Sequence, residues 1–323
     1  MSNDLRFGEL HTNTWGMEMD VLDIAGHPEG DRFGRDRNAL RLPEFLKRKV
    51  GKGNAVRSVK RMLRTQAVTT VCEEAKCPNL AECFAKNTAT FMIMGPQCTR
   101  ACGFCAVTTA PTQPLDPNEP QSVANSAKAL GLTHVVVTSV NRDDLADGGA
   151  EHFARTVRAI KTACPSVQVE VLVPDFCGDD SALDTIIDSP IDVFNHNVET
   201  IQRLYARVRP RADYQRSLDC LVRARKRRPD LSIKSGLMVG LGETDHEVLR
   251  VMQDLKAHEV DIITIGQYLR PSLKHVPVHR FLRPEAYEKF VAFGEAIEVG
   301  HVFAGPFVRS SYNAAEAYEA SLA

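Results

Sequence analysis

The sequence has no long apolar run, little net charge and no export signal. No stretch approaches the roughly 18 apolar residues of a membrane span, although 43% of the 323 residues are hydrophobic. The formal net charge of −1 argues against nucleic-acid binding. The first 36 residues hold eight acidic side chains and no apolar core, which excludes a secretory signal or an acid-poor transit peptide. These absences predict a soluble globular protein of the cytoplasm.

The chain has nine cysteines but lacks the context in which disulfides form. In a large chain without an export signal, cysteines indicate reduced thiols and metal binding. Cys98, Cys102 and Cys105, here called the loop cysteines, are separated by three and two residues. Soft thiolates on one short loop can hold three irons of a 4Fe–4S cube, which normally takes four cysteines. The pattern predicts a cluster with one open iron; a zinc site or incidental cysteines are the alternatives.

A second group, Cys72, Cys77 and Cys83, is here called the N-terminal cysteines. Its spacings of four and five residues match neither paired zinc knuckles nor ferredoxin motifs. No fourth cysteine ligand is obvious from the sequence. The remaining cysteines are interpreted as small buried side chains: Cys164, Cys177 and Cys220.

The loop cysteines, with the aromatic Phe104 before the last of them, resemble the radical S-adenosylmethionine (SAM) enzymes. Together with the N-terminal cysteines and the motif Arg309-Ser310-Ser311-Tyr312, they resemble the lipoyl synthase family over residues 42–312. The resemblance implies two 4Fe–4S clusters, and SAM chelated by the open iron and cleaved to a 5′-deoxyadenosyl radical. It further implies insertion of two sulfur atoms, donated by the second cluster, at C6 and C8 of a protein-bound octanoyl-lysine.

Two other functions stay open at this point. One is another sulfur-inserting or methylthiolating radical SAM enzyme. The other, in a different class, is an electron-transfer or metal-binding module. Neither acid–base nor nucleophilic catalysis is expected, because an octanoyl chain has no acidic proton and no leaving group at the reacting carbons.

The resemblance also gives roles to single residues. It makes Ser311 the fourth ligand of the second cluster, where a lone serine would otherwise be a surface or capping residue. It places Phe104 near the adenine of SAM, and Gly148 and Gly149 at the ammonium, although the match to the family's Gly-Gly-Glu motif is loose and glycines after a strand are common turn residues. Further candidate SAM contacts are Asn195, Glu199 and Ser235, with helix capping by Asn197 as the structural alternative to Asn195 and Glu199. Candidate substrate contacts are Gln267 and Arg270.

Partners follow from the resemblance as well. It implies octanoylated lipoyl carrier domains, such as the acyltransferase subunits of 2-oxoacid dehydrogenases and the glycine cleavage carrier protein. It also implies an electron donor such as flavodoxin or ferredoxin, and an iron–sulfur carrier that rebuilds the second cluster. No nucleic acid or membrane is expected.

Short apolar runs alternate with helical segments from residue 89 onward. Strands are predicted at residues 89–94, 134–140, 167–173, 192–197, 232–240 and 262–269. Helices are predicted at residues 122–131, 150–163, 214–228 and 243–258. Near-continuous apolar strands between helices indicate parallel βαβ units. Six units predict an α/β fold, a partial (β/α)6-type barrel, with its chemistry at the carboxyl ends of the strands.

Four regions are predicted along the chain. Residues 1–41 form an arm, 42–88 an N-terminal helical segment with the second cluster, 89–300 the barrel and 301–323 a C-terminal segment. Residues 47–64 carry eight basic side chains and no acidic one, on an amphipathic helix pattern. This pattern has two interpretations, a solvated face or a docking surface for an acidic partner protein.

Overall fold

The computed structural model describes residues 41–47, 54–85 and 89–322. The predicted arm lies outside the described residues except for Arg41, and so do residues 48–53 of the basic segment. The described strands are β1 (Thr69–Thr70), β2 (Thr90–Ile93), β3 (Gln97–Cys98), β4 (Thr108–Thr109), β5 (His134–Ser139), β6 (Gln168–Leu172), β7 (Val193–Asn195), β8 (Ser232–Val239), β9 (Ile262–Gln267) and β10 (His301–Gly305). The described helices are α1 (Asn54–Thr65), α2 (Val71–Glu74), α3 (Leu80–Ala85), α4 (Glu119–Leu130), α5 (Ala150–Ala163), α6 (Asp180–Ile187), α7 (Tyr205–Val208), α8 (Tyr214–Arg227), α9 (Asp245–Ala257), α10 (Pro284–Ala296) and α11 (Ala314–Ser321).

Eight strands form one sheet in the order β1-β2-β5-β6-β7-β8-β9-β10. Each neighbouring pair is parallel except β1 and β2. Helices connect successive parallel strands and cover the outside of the sheet, as the buried strand sequences require. The predicted partial barrel is confirmed, with seven parallel strands instead of six. The additional strand, β10, lies in the predicted C-terminal segment and pairs with β9.

Local sequence explains where the barrel helices begin. Thr244 and Glu247 form a reciprocal capping box at the start of α9, which satisfies two backbone N–H groups that the helix leaves unpaired. Asp213 accepts from the backbone of Arg216 at the start of α8. α5 has the predicted bounds, and its face with Phe153, Val157 and Ile160 is buried. These helices set the positions of the strand ends that carry the site.

The interior of the barrel contains a buried ion pair near the start of the strands. Lys234 Nζ lies 3.0 Å from Glu170 Oε2, and both side chains are at most 1% exposed. Burial raises the pKa of Glu170, but the charge of Lys234 together with the contacts to His134 and Asn195 outweighs it, and the pKa is lowered to about 2. His134, the first residue of β5, lies 3.4 Å from the same carboxylate. α11 packs against β5, β9 and β10, with Tyr318 beside His134, so it covers this end of the barrel.

Candidate active site

A cavity of about 540 Å³ opens at the carboxyl ends of the parallel strands. Here it is called the main cavity. Apolar side chains from the strands, including Met92, Leu172 and Met238, line part of it. Ligand sites of α/β barrels lie at this end. The fold therefore brings together residues that are more than 200 positions apart in the chain.

All three loop cysteines line the main cavity. Burial raises the pKa of Cys102 from 9.0 to about 11, although the charge of Arg209 opposes this. Burial likewise raises the pKa of Cys105 to about 12, and the nearby charges of Cys102 and Cys98 add to it. These thiols are protonated at neutral pH without a metal, so binding of a metal would release their protons.

Arg100 holds the loop that carries these cysteines. Its Nε and Nη2 donate to the Asp143 carboxylate at 2.7 and 2.8 Å, and its Nη1 lies 2.7 Å from Asp175 Oδ1. The Arg100 side chain is only 4% exposed. Paired hydrogen bonds from a buried guanidinium fix direction as well as distance. The loop is thus attached to the barrel rather than free to change shape.

The N-terminal cysteines also lie together. Burial raises the pKa of Cys72 to about 12, the backbone N–H of Thr90 opposes this rise, and the charges of Cys77 and Cys83 add to it. Cys72 and Cys77 line the main cavity. Cys83 lines a neighbouring cavity of about 280 Å³, here called the side cavity. Ser311 lines both cavities, which places it beside the N-terminal cysteines as the resemblance implies.

Residues 308–311 form one wall of the main cavity, here called the C-terminal wall. Asn79 Nδ2 donates to Phe307 O at 2.7 Å, just before this wall. Asn197 Nδ2 donates to Ser310 Oγ at 2.5 Å, within it. The wall is therefore held both by the N-terminal segment and by the barrel.

The donor chemistry of the cysteines suits an iron–sulfur cluster, because a 4Fe–4S cube binds soft thiolates, each to a different iron. Among the described residues, no group of three or more Cys, His, Asp or Glu side chains could hold a single metal ion. All nine cysteines, each of them a described residue, are free of disulfides. The loop cysteines and the N-terminal cysteines each offer three thiolates, a donor set that suits an iron–sulfur cluster.

Several polar atoms in the lining of the main cavity lack partners. Asn141 Oδ1, Asn197 Oδ1 and His196 Nε2 are buried without a hydrogen bond to any described residue. Buried polar groups are nearly always paired in folded proteins. These atoms therefore fit a polar ligand with hydrogen-bonding groups, which describes the amino acid and ribose parts of SAM.

Two of the candidate SAM contacts reach the main cavity, Phe104 and Glu199. Glu199 has φ +63°, in the left-handed region. Its burial raises the pKa of the carboxyl group, while Arg209, Asn197 and Arg309 oppose this rise. Asn197 Nδ2 donates to Glu199 Oε1 at 3.1 Å and so orients the carboxylate.

The structure does not bring the other SAM candidates to the cavity. Asn195 Nδ2 donates to Glu170 Oε1 at 2.8 Å, in the barrel interior. Ser235 Oγ donates to His196 O at 2.8 Å and ties β8 to β7. A Cβ on Gly149 would lie 2.1 Å from Met94 Sδ, and one on Gly148 would lie 2.7 Å from Phe176. These two glycines are required by close packing at positive φ.

The candidate substrate contacts have mainly structural partners. Gln267 is fully buried, and its Nε2 donates to Val239 O and Arg280 O. Arg270 does line the main cavity. Its guanidinium donates to His275 O at 2.9 Å and Leu273 O at 2.8 Å, which braces its own loop.

Asn197 is a site residue that the sequence prediction treated only as a helix cap. β7 ends at Asn195, so Asn197 lies beyond the strand, at the rim where barrel sites are built. The early end of this three-residue strand was not visible in the sequence.

No helix among the described residues is long and apolar enough to cross a membrane.

Comparisons with known proteins agree with this geometry. The family model described as the Radical SAM superfamily matches residues 92–255. The one described as the N-terminal domain of lipoyl synthase of the Radical_SAM family matches residues 25–77.

Two relatives illustrate the similarity in sequence. The chain is 50% identical over 284 residues to the lipoyl synthase of Alkaliphilus metalliredigens (strain QYMF), covering 87% of this chain and 97% of that protein. It is 53% identical over 275 residues to the lipoyl synthase of Caldanaerobacter subterraneus subsp. tengcongensis, covering 85% and 96%. Among solved structures, HydG, a maturase of the FeFe-hydrogenase, matches with a TM-score of 0.53 at 13% identity, covering 78% of this chain and 67% of that one. This last match is a likeness of fold alone.

Proposed function

The chain belongs to the lipoyl synthase family of radical SAM enzymes, and we propose that its two cysteine groups hold two 4Fe–4S clusters at one active site. The activity of the family is insertion of two sulfur atoms into a protein-bound octanoyl chain. One observation supports the proposal above all. The loop cysteines line the same cavity as Cys72, Cys77 and Ser311.

The loop cysteines would hold the cluster that binds SAM, and the N-terminal cysteines with Ser311 would hold the other. When bound, these groups supply an electron for reductive cleavage of SAM and the sulfur for insertion. An oxygen ligand is harder than a thiolate and binds a soft iron site less firmly. Ser311 would therefore be the most easily released ligand of a cluster held there.

The chain's own residues position SAM and exclude water. Glu199 and Asn197 meet at the rim of the main cavity, where Asn197 is buried and Glu199 is half-buried. Their oxygen atoms suit the hydroxyl and ammonium groups of SAM, and Phe104 offers a face for the adenine. Arg209 Nη1 donates to the backbone oxygens of Asn197 and Val198, which fixes this turn. The burial of Asn197 and the partial burial of Glu199 and Phe104 would limit the access of water to SAM bound there.

The substrate would enter as an octanoyl-lysine on a carrier domain. Met92, Leu172 and Met238 give the main cavity an apolar lining that suits an octanoyl chain. Arg270 lines the main cavity and residues 272–274 beside it are exposed, so the protein part of the substrate would dock at this loop. Arg270 thus acts on the substrate through the shape of its loop.

The decisive experiment is mass spectrometry of an octanoylated carrier domain. The anaerobically reconstituted protein, SAM and a reductant should give a product with two added sulfur atoms. A preparation with both clusters that leaves the octanoyl chain unchanged would overturn the assignment. Counting iron and sulfide gives an independent check, since two 4Fe–4S clusters require about eight irons per chain.

A further inference from the structure

The backbone and the side-chain amide of Asn141 converge on the sulfur of Cys98. Asn141 N lies 3.3 Å from Cys98 Sγ, and Asn141 Nδ2 lies 3.9 Å from it. The backbone N of Arg100 contacts the same sulfur at 3.4 Å. We propose that Asn141 is a positioning residue that sets the reduction potential of the cluster held by the loop cysteines and helps to hold SAM. The inference rests on the proposed ligand role of Cys98.

Asn141 is held in place by the same loop. The backbone N and the Oγ1 of Thr99 donate to Asn141 O at 3.1 and 3.0 Å. The N of Asp143 donates in turn to Thr99 Oγ1 at 3.2 Å. The loop and the end of β5 are thus joined by hydrogen bonds in both directions. This docking keeps the Asn141 donors directed at Cys98.

Hydrogen bonds to the sulfur atoms are among the main determinants of iron–sulfur potentials. An N–H group near a thiolate stabilises the reduced, more negative cluster and so makes reduction easier. Among the described residues, three N–H groups reach Cys98 Sγ, and only Asn141 Nδ2 belongs to a side chain. A substitution can therefore remove this donor while the two backbone donors remain.

The oxygen atom of the Asn141 side-chain amide has a different role from the nitrogen atom. Asn141 Oδ1 is buried without a hydrogen bond to any described residue, and Asn141 lines the main cavity. A buried acceptor without a donor lowers stability. A ligand in the cavity that carries a cationic N–H group would remove this cost. SAM carries such a group in its ammonium.

Two variants separate the two proposed roles of Asn141, which are tuning of the reduction potential and binding of SAM. Asn141→Asp keeps an acceptor oxygen but removes the N–H donor, and Asn141→Ala removes both. Both variants should shift the midpoint potential to more negative values. Asn141→Ala should also weaken SAM binding about tenfold, the effect of one lost hydrogen bond to a charged group, whereas Asn141→Asp should retain it. Asn195→Ala is the control, because it removes a buried amide that bonds to Glu170 in the barrel interior.

The potential is best measured by redox titration of the cluster signal in electron paramagnetic resonance. The proteins would carry Cys72→Ala and Cys77→Ala in addition, so that only the loop cysteines hold a cluster. SAM binding is measured on the same samples by equilibrium dialysis. An Asn141→Asp potential equal to that of the parent would overturn the tuning role. An equal shift in Asn195→Ala would overturn it too, since that shift would reflect general loosening of the barrel.

Failure of the underlying assignment gives a different result. If Cys98 is a cluster ligand, Cys98→Ala removes the signal of this cluster. A signal that persists in Cys98→Ala would refute the proposed ligand role itself. A signal lost in Cys98→Ala but unchanged in potential in Asn141→Asp would refute only the role of Asn141.

Discussion

The Tyr312 hydroxyl donates a 2.8 Å hydrogen bond to Glu82 Oε1. Glu82 precedes Cys83, and Tyr312 follows Ser311. The bond therefore joins the two segments that would supply the second cluster with its ligands. It gives the final tyrosine of the Arg309–Tyr312 motif a structural purpose, which is to hold the serine beside the N-terminal cysteines.

Substitution of any loop cysteine should abolish SAM cleavage. Cys98→Ala, Cys102→Ala and Cys105→Ala each remove one of three thiolates from the cluster that passes the electron to SAM. The measurement is 5′-deoxyadenosine released with reductant present. Wild-type amounts from any of the three proteins would contradict the assignment of this group.

Substitution of an N-terminal cysteine should separate the two chemistries. Cys77→Ala should still cleave SAM, because the loop cysteines remain, but it should yield no lipoylated product. Chromatography of 5′-deoxyadenosine and mass spectrometry of the carrier domain test both parts on one sample. Normal product from a Cys77→Ala protein shown to hold one cluster would rule out a sulfur-donating second cluster.

The two neighbouring serines provide a matched pair. Ser311→Ala should leave most of the iron bound, since three thiolates remain, but should slow sulfur insertion by more than about tenfold, as disturbed metal ligation does. Ser310→Ala removes only a side chain that accepts from Asn197. Its loss of activity should be smaller. Equal losses would show that the position of the wall, and not the Ser311 oxygen, is what matters.

The exposed basic face of α1 should affect docking of the carrier domain. Arg61 and Arg64 are exposed, whereas Lys60 is paired with Glu73 at 3.1 Å. Arg61→Gln with Arg64→Gln should slow turnover of a carrier domain about tenfold at low salt, because steering by charge is lost, and should spare an octanoyl-lysyl peptide. Lys128→Gln with Lys226→Gln is the control, because it removes two exposed positive charges from α4 and α8 instead of α1. Equal losses on both substrates would point to a role of α1 in folding.

His196 should make the stability of the apoprotein depend on pH. Burial, together with the charge of Arg209, lowers the pKa of His196 from 6.5 to about 4. As the pH falls below 6.5, His196 becomes protonated in the unfolded chain but stays neutral in the folded chain. The free energy of unfolding therefore falls as the pH drops. The loss from pH 7 to pH 5 is about 2 kcal/mol. Urea unfolding should show this slope, and His196→Gln should reduce it; identical slopes would refute the buried neutral imidazole.

The sequence predicted the cysteine groups and the barrel because both are local patterns. The spacing of the loop cysteines is set within eight residues, and the six predicted strands are continuous apolar runs. β10 was missed because its five residues are short and only partly buried. The position of β10 depends on its pairing with β9, and this pairing cannot be predicted from the sequence of β10 itself.

Individual side chains at the strand ends were harder to predict. Asn195 and Asn197 stand two residues apart in one motif, and the sequence does not show that β7 ends between them. Where the strand ends decides which amide reaches the cavity and which bonds to Glu170. Likewise, the packing of Gly149 against Met94 depends on a contact across 55 positions.

The C-terminal wall also sets the order in which the site is completed during synthesis. Every other residue of the main cavity lies at or before Pro271, and the wall begins at Val308. A growing chain that extends only through α10 already contains the loop cysteines and the N-terminal cysteines but has no β10 and no Ser311. Since proteins emerge from the ribosome starting at the N-terminus, the cavity stays open on one side until its last wall is made. The main cavity is thus closed only late in synthesis, after the rest of its lining has been made.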